Sequence, residues 1–330
     1  MLKGMAITAE TLAAASDVVY RHMQPTPQFA WPLLAQELGT EVWLKHEDGT
    51  PAGAFKVRGG LVFMERLRRE RPHVTGVVSA TRGNHGQSLA YAGREYGVPV
   101  AIVVPRGNSV EKNSAMLGFG AELIEHGDDF QEAKEYSAVL AAERGYEYTS
   151  SFQADLVAGV ATYAKELFDA AGGLDAVYVP VGMGSGICAL IGVRDLLGLQ
   201  TEVIGVVSAA ANAHSLSFAA KHVVSTESAH TFVDGVATRQ PDPEAVAIMV
   251  AGASRFVEVS EDVTADAMRL IYRTTHHLPE PAGAIVLAAL GQDLAMGVTA
   301  KGQRLCAVLS GGNMDTSMAA EVLSGRTPRP

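Results

Sequence analysis

With 330 residues, 48% of them hydrophobic, the chain has material for two compact lobes or one large α/β unit. A formal net charge of −10 without a Lys/Arg-rich run excludes unspecific nucleic-acid binding, and no apolar run reaches membrane-spanning length because Gly, Pro and charges interrupt each one. Only two cysteines, Cys188 and Cys306, lie far apart in apolar surroundings, and residues 1–14 hold no apolar signal core, so an enzyme of the reducing cytoplasm is expected.

Apolar, β-branched runs alternate with amphipathic stretches along the chain. A strand is predicted over 41–45, a helix over 57–69, a strand over 76–79 and a helix over 87–96. Strands over 100–104 and 121–124 flank a helix over 109–117, and helices over 130–143 and 159–171 follow. The second half predicts a strand over 176–181, a helix over 186–197, strands over 203–207 and 256–259, helices over 265–275 and 282–290, and a last strand over 305–309. This rhythm predicts an α/β fold with mostly parallel sheets covered on both faces, since several strands read as continuous apolar runs. The tail over 324–330, rich in Pro and Gly, is expected to fray.

Four segments carry chemistry. In Pro-Ala-Gly-Ala-Phe-Lys-Val-Arg-Gly-Gly (51–60), Lys56 stands among small and apolar residues at a predicted helix start. Burial and the positive helix end both disfavour an ammonium there, which suits imine formation or proton abstraction; an ordinary surface lysine fits the same letters. In Ser-Ala-Thr-Arg-Gly-Asn-His-Gly-Gln (79–87), a strand gives way to a helix whose exposed amides suit an anion such as a carboxylate; a polar β–α turn with a capping Asn fits equally. Val-Pro-Val-Gly-Met-Gly-Ser-Gly (179–186) reads as a phosphate cradle or as a bare β–α turn; it is not a P-loop, and its late position does not fit a dinucleotide fold. In Leu-Ser-Gly-Gly-Asn-Met-Asp (309–315), Ser310 is expected to project at a strand's carboxyl end, where open α/β sheets bind ligands; a C-terminal strand followed by an N-capping turn fits the same letters.

In this order and spacing the four segments resemble the serine/threonine dehydratase and serine racemase family of pyridoxal-phosphate enzymes, the tryptophan-synthase-β-like group of fold type II. Thr26-Pro27, Lys45-x-Glu47-Asp48, Ala158-Gly159-x-x-Thr162 and Glu280-Pro281-x-Gly283 add to the likeness, which covers nearly the whole chain. The resemblance implies two lobes, each a mostly parallel twisted sheet covered by helices: residues 1–70 and 152–330 form the large, cofactor-binding lobe, and 71–151 a small one closing over substrate. It implies pyridoxal 5'-phosphate as cofactor, Lys56 as its Schiff-base lysine, Phe55 packed beside it, and Asn84 on the ring hydroxyl. Gly182, Met183, Gly184, Ser185 and Gly186 would wrap the phosphate, Ser310 would face the ring nitrogen as the second catalytic residue, and Glu280 would join the cofactor set. Ser79, Thr81, Arg82, Gly83, Asn84 and His85 would hold the substrate carboxylate. A homodimer is also implied, although no segment marks an interface.

The expected reaction is β-elimination of water from an L-threonine- or L-serine-type amino acid, giving a 2-oxo acid and ammonia. Threo-phenylserine, threo-3-hydroxyaspartate and a diamino acid from compatible-solute breakdown are alternative substrates. A racemase or a catalytically silent ligand-binding homologue are alternative roles. Serine racemases place a serine as second base where this chain has Arg82, and arginine is a poor base. A divalent-cation site is not expected, because Ser208-Ala209-Ala210-Ala211 lacks the acidic ligand of relatives that bind one. No regulatory domain follows the last motif, so isoleucine feedback is not expected and a catabolic role is. His214, His230, His276 and His277 lack zinc-ligand spacing, and Trp31, Trp43 and Cys306 read as packing residues.

Overall fold

The computed structural model describes residues 5–330; residues 1–4, part of the N-terminal stretch read above for a signal, lie outside the described residues. Helix α1 (Ala9–Val19) starts at a capping box in which Thr8 and Thr11 satisfy one another's backbone amides. Strand β1 (Gln28–Ala30) precedes α2 (Pro32–Leu38), which opens on a proline whose missing N–H would have had no helical partner. Strand β2 (Val42–His46) leads through a 3-10 turn, Glu47–Gly49, to α3 (Lys56–Glu70). Then come β3 (Val77–Ala80), α4 (Asn84–Tyr96), β4 (Val100–Val104), α5 (Val110–Gly118), β5 (Glu122–Glu125), α6 (Phe130–Arg144) and β6 (Glu147–Tyr148). The second half runs α7 (Ala154–Ala171), β7 (Ala176–Pro180), α8 (Ser185–Leu196), β8 (Glu202–Ser208) and α9 (Ala213–Ala220). After a 3-10 turn, Asp234–Val236, it ends with α10 (Pro243–Gly252), β9 (Arg255–Val259), α11 (Glu261–Thr275), α12 (Pro281–Met296), β10 (Leu305–Leu309) and α13 (Thr316–Leu323).

The strands form two sheets, ordered β1-β2-β10-β7-β8-β9 and β5-β4-β3-β6. Every pairing is parallel except β1 with β2, in agreement with the expected fold class. The period of two explains the unbroken apolar strands. On β7, Val177 and Val179 join the core under α7 and α8, while Ala176 and Tyr178 join the core under α11 and α12. On β4, Val100, Ile102 and Val104 face one side of the small sheet, and Ala101 and Val103 the other. Residues of α3 share the first of these small-sheet cores, so apolar contacts run across position 70. Among the described residues no helix is long and apolar enough to cross a membrane.

Every predicted element is present, but several begin earlier than expected. Helices predicted from 57, 87 and 186 start at Lys56, Asn84 and Ser185. The tail expected to fray is held down: the Arg326 carbonyl accepts from the Arg269 guanidinium, Pro328 is buried, and Arg329 stands 4.0 Å from Asp262.

Candidate active site

The earlier helix starts decide the site's geometry, because each puts a chemically active side chain on a helix's first residue. Lys56 heads α3, Asn84 heads α4, Ser185 heads α8, and Glu280 is the N-cap of α12. These helix N-termini meet: α3 touches α8 through Lys56 and Ser185, α4 touches α12 through Asn84 and Glu280, and Ser88 of α4 donates to the Lys56 carbonyl, so positive dipole ends that favour anions are gathered in one place. The Lys56 ammonium donates to Ser185 Oγ at 3.1 Å and stands 5.3 Å from the Phe55 ring centre. The Phe55 amide donates to the Ser310 carbonyl at 3.0 Å, and Ala54 bridges Gly311, so β10's end lies against the start of α3. Burial pulls the Lys56 pKa down to about 8. The unfolded chain keeps that proton up to about pH 10.5, so burying Lys56 costs stability below pH 8, and the cost fades as pH rises toward 10.5. The cofactor-free Lys56→Met variant is therefore expected to melt above the parent at pH 7, with the gap narrowing toward pH 10.5 in thermal scans. A gap that is constant across that range would contradict the assigned burial.

Close to Lys56 in sequence, Arg58 belongs to a buried network that joins four of the sequence motifs. Arg58 donates to Glu47 at 2.8 and 3.0 Å, to Glu166 at 2.6 and 3.0 Å, and to Thr162 at 2.9 Å. Lys45 donates to Glu166 at 2.5 Å and to the Thr26 carbonyl at 2.8 Å, and Thr26 Oγ1 donates to Glu47 at 2.5 Å. Arg58 and Glu47 are wholly buried, and Lys45 almost so. Two cations and two anions cancel, which is the condition for keeping such charges out of water. Burial alone would raise the Glu166 carboxyl, but Arg58 and Lys45 hold it below its ordinary value. The network pins the first turn of α3 and so aims Lys56.

Across the cleft, the segment between β3 and α4 uses much of its polarity internally. Ser79 Oγ donates to the Thr149 carbonyl at 2.7 Å, and Thr81 Oγ1 accepts from the Gly83 amide at 3.0 Å. His85 is buried, and neither ring nitrogen has a close hydrogen-bond partner. Burial, reinforced by the charge of Lys56, drives its pKa to about 3, so it is a neutral imidazole at physiological pH. Arg82 is exposed and makes no hydrogen bond or ion pair with a described residue. Asn84 Nδ2 donates to Glu280 Oε1 at 2.7 Å, and Asn313 Nδ2 donates to Asn84 Oδ1 at 3.0 Å. Burial raises the Glu280 carboxyl to about 7 against the pull of Lys112.

Lys112, Asp234 and Asn313 were not singled out from the sequence. The signal for Lys112 was its spacing of four from Met116, since these two are the buried residues of α5. His46, Asp48 and His277 form a further grouping the spacing did not reveal, with ligand atoms within 4.8 Å of one another. Trp31 Nε1 donates to His46 Nε2 at 3.2 Å, which leaves the His46 proton on Nδ1, facing Asp48 Oδ1 at 3.3 Å. That tautomer removes the lone pair a metal would need.

The residues present fit a phosphorylated aromatic aldehyde. A Cβ on Gly182 would run into the Gly235 carbonyl, and Gly184 has φ 101°, so the 182–186 turn leaves its amides bare beside the Ser185 hydroxyl. The Lys56 amine reaches that hydroxyl, which puts an imine-forming group next to the phosphate cradle. The comparisons agree. The profile of the family described as pyridoxal-phosphate dependent enzyme matches residues 19–311. The chain is 32% identical over 301 residues to the biosynthetic L-threonine dehydratase of Salmonella typhimurium, covering 90% of this chain and 58% of that one. It is 28% identical over 317 residues to the L-threo-3-hydroxyaspartate ammonia-lyase of Saccharomyces cerevisiae, covering 96% of both. It superposes on the processed form of threonine deaminase isoform 2 from Solanum lycopersicum with a TM-score of 0.88 at 26% identity, covering 97% of this chain and 95% of that one. The chain spans about three fifths of the length of the biosynthetic dehydratases it matches. With a profile match over most of its length, the chain belongs to the pyridoxal-phosphate dependent enzyme family.

Proposed function

We propose that this protein is an ammonia-lyase that eliminates water from a β-hydroxy-α-amino acid of the L-threonine or L-serine type, releasing a 2-oxo acid and ammonia. The observation that carries the reading is the Lys56 amine, with its lowered pKa, at the mouth of a glycine-and-serine anion cradle. The bound cofactor would supply the electron sink that makes the substrate's Cα proton acidic. Lys56 Nζ is the base that takes this proton, and its lowered pKa places it near the operating pH. The amides at the start of α4 hold the substrate carboxylate, and His85 offers a neutral donor beside them. Ser310 brings a hydroxyl, not a carboxylate, to the end of β10, which would leave the ring nitrogen without a fixed proton and favour prompt elimination. Loss of the Cα hydrogen and the β-hydroxyl removes water, and hydrolysis of the resulting enamine gives the two products. The small lobe proposed for 71–151 would exclude bulk water by closing over the substrate.

A second reading, L-threo-3-hydroxyaspartate, has an observation in its favour. The Arg82 guanidinium stands beside the carboxylate-binding turn with no acidic partner among the described residues, and it could pair with a side-chain carboxylate. Ammonia and 2-oxo acid release should be measured with L-threonine, L-serine, threo-phenylserine and L-threo-3-hydroxyaspartate. Turnover of threonine or serine supports the first reading. Preference for hydroxyaspartate, lost in Arg82→Ala through a raised KM, supports the second. No ammonia from any of them would sink the reading as a dehydratase of a β-hydroxy amino acid.

A further inference from the structure

The chemistry above leaves one buried cation of the cleft without a task. Lys112 is 6% exposed, and its stem lies over the substrate turn, where a Cβ on Gly83 would come within 2.6 Å of Lys112 Cδ. Its ammonium donates to Asp234 Oδ2 at 2.5 Å and stands 3.9 Å from Glu280 Oε2. That second oxygen of Glu280 has no hydrogen-bond partner, whereas Oε1 accepts from Asn84. Helix α5, which carries Lys112, belongs to the small sheet but is fastened to the C-terminal loop of the large one. Ser109 Oγ donates to Asp315 Oδ1 at 2.5 Å, and the Glu111 amide donates to the same oxygen at 3.2 Å. In return, the Thr316 amide and hydroxyl donate to Glu111 at 2.6 Å each. Each acid therefore caps the other's helix: Asp315 serves α5, and Glu111 serves α13.

We propose that Lys112 is a positioning residue of the active site: brought to Glu280 by the reciprocal caps of α5 and α13, it favours the carboxylate form of Glu280, whose Oε1 fixes the amide of Asn84. The charged and polar groups facing Glu280 are Lys112 from α5, Asp234 from the 3-10 turn and Asn84 from α4; Asp315 adds to the field at Lys112. Two carboxylates thus share one ammonium. Without it, Glu280 is the acid that takes up a proton, because it is fully enclosed while Asp234 keeps contact with water. A protonated Glu280 can donate as well as accept, so the Asn84 amide loses its fixed orientation and with it the Asn313 bond. The role assigned to Asn84 rests on the cofactor reading above; the link between Lys112 and Glu280 does not.

The test uses the full-length chain with and without cofactor, and the variants Lys112→Met, Lys112→Arg and Asp234→Asn. Infrared difference spectra follow the carboxylic-acid C=O band of Glu280 against pH, with Lys112→Met/Glu280→Gln as the blank. Its midpoint is expected to rise by at least about one pH unit in Lys112→Met, to stay near the parent's in Lys112→Arg, and to fall in Asp234→Asn. Cofactor affinity, read by fluorescence titration, is expected to weaken about tenfold in Lys112→Met and to recover in Lys112→Arg. An unmoved midpoint in both Lys112→Met and Asp234→Asn overturns the proposal; Asp234→Asn decides it alone where Lys112→Met does not fold. A moved midpoint with unchanged cofactor affinity overturns the step from Glu280 to Asn84, and with it the placing of Asn84 beside the cofactor.

Discussion

Lys56→Ala is expected to lower ammonia release by roughly 10³-fold or more on whichever substrate the parent prefers, since a positioned base contributes about 10²–10⁴-fold on its own. The loss should fall on kcat, because the turn at the head of α4, which we propose holds the substrate carboxylate, does not include this side chain. In the parent, kcat should decline as pH drops below about 8, where burial has set the amine's pKa, since an ammonium cannot accept the Cα proton. His85, with a pKa of about 3, stays neutral throughout this range and adds no second limb. Steady-state rates from pH 6 to 9 check both statements. A residual rate within tenfold of the parent, or a flat profile, would show that another group takes the proton.

Arg58→Met is expected to destabilise the fold by about 3–5 kcal/mol, the usual cost of removing one partner from a buried ion network. The substitution leaves Glu47, wholly enclosed, facing no cation, and leaves Glu166 with Lys45 alone. Pairing it with Glu47→Gln should restore part of the loss, because the remaining Lys45 and Glu166 are again balanced. Urea titrations that show an unchanged slope and a lower midpoint would register the effect; a loss under about 1 kcal/mol would mean that water reaches the cluster. The network also bears on acid stability. Glu166 titrates below its ordinary value of 4.5 in the folded protein, so its contribution is complete above pH 4.5 and is lost as pH falls through the folded-state value. Because Arg58 sits two residues after Lys56 in α3, the same variant should lower activity through a misplaced amine before the fold fails.

Two separate things were readable without coordinates. Continuous apolar runs such as Val100–Val104 and Leu305–Leu309 announce strands covered on both faces, because either alternate residue must meet a core. The polar and glycine-rich letters that follow such runs announce ligand turns, because a strand's carboxyl end in a parallel sheet opens on the loops. What failed at this level was short or polar. Strands β1 and β6 hold three and two residues, too few for a period, and are strands only because they pair with β2 and β3. Helices α9 and α13 expose much of their length and show no clear period, whereas α1 and α10, also absent from the predicted elements, do carry start signals in Thr8-x-x-Thr11 and Asp242-Pro243.

By itself the sequence determined the α/β rhythm, the lysine, the three glycine-bearing turns and the family they resemble, because each depends on local spacing and on side-chain type. Only the tertiary structure decided that Lys56, Asn84 and Ser185 are first residues of helices whose N-termini converge. It alone made Thr26, Lys45, Glu47, Arg58, Thr162 and Glu166 one neutral buried network, and it alone brought Lys112 to Glu280 from a helix 168 positions earlier. The physical reason is the range of the forces involved. Periodicity and capping act within a turn or two of chain, whereas the energy of a buried charge depends on which opposite charge the fold places within a few ångströms, and no local pattern in the sequence encodes that distance.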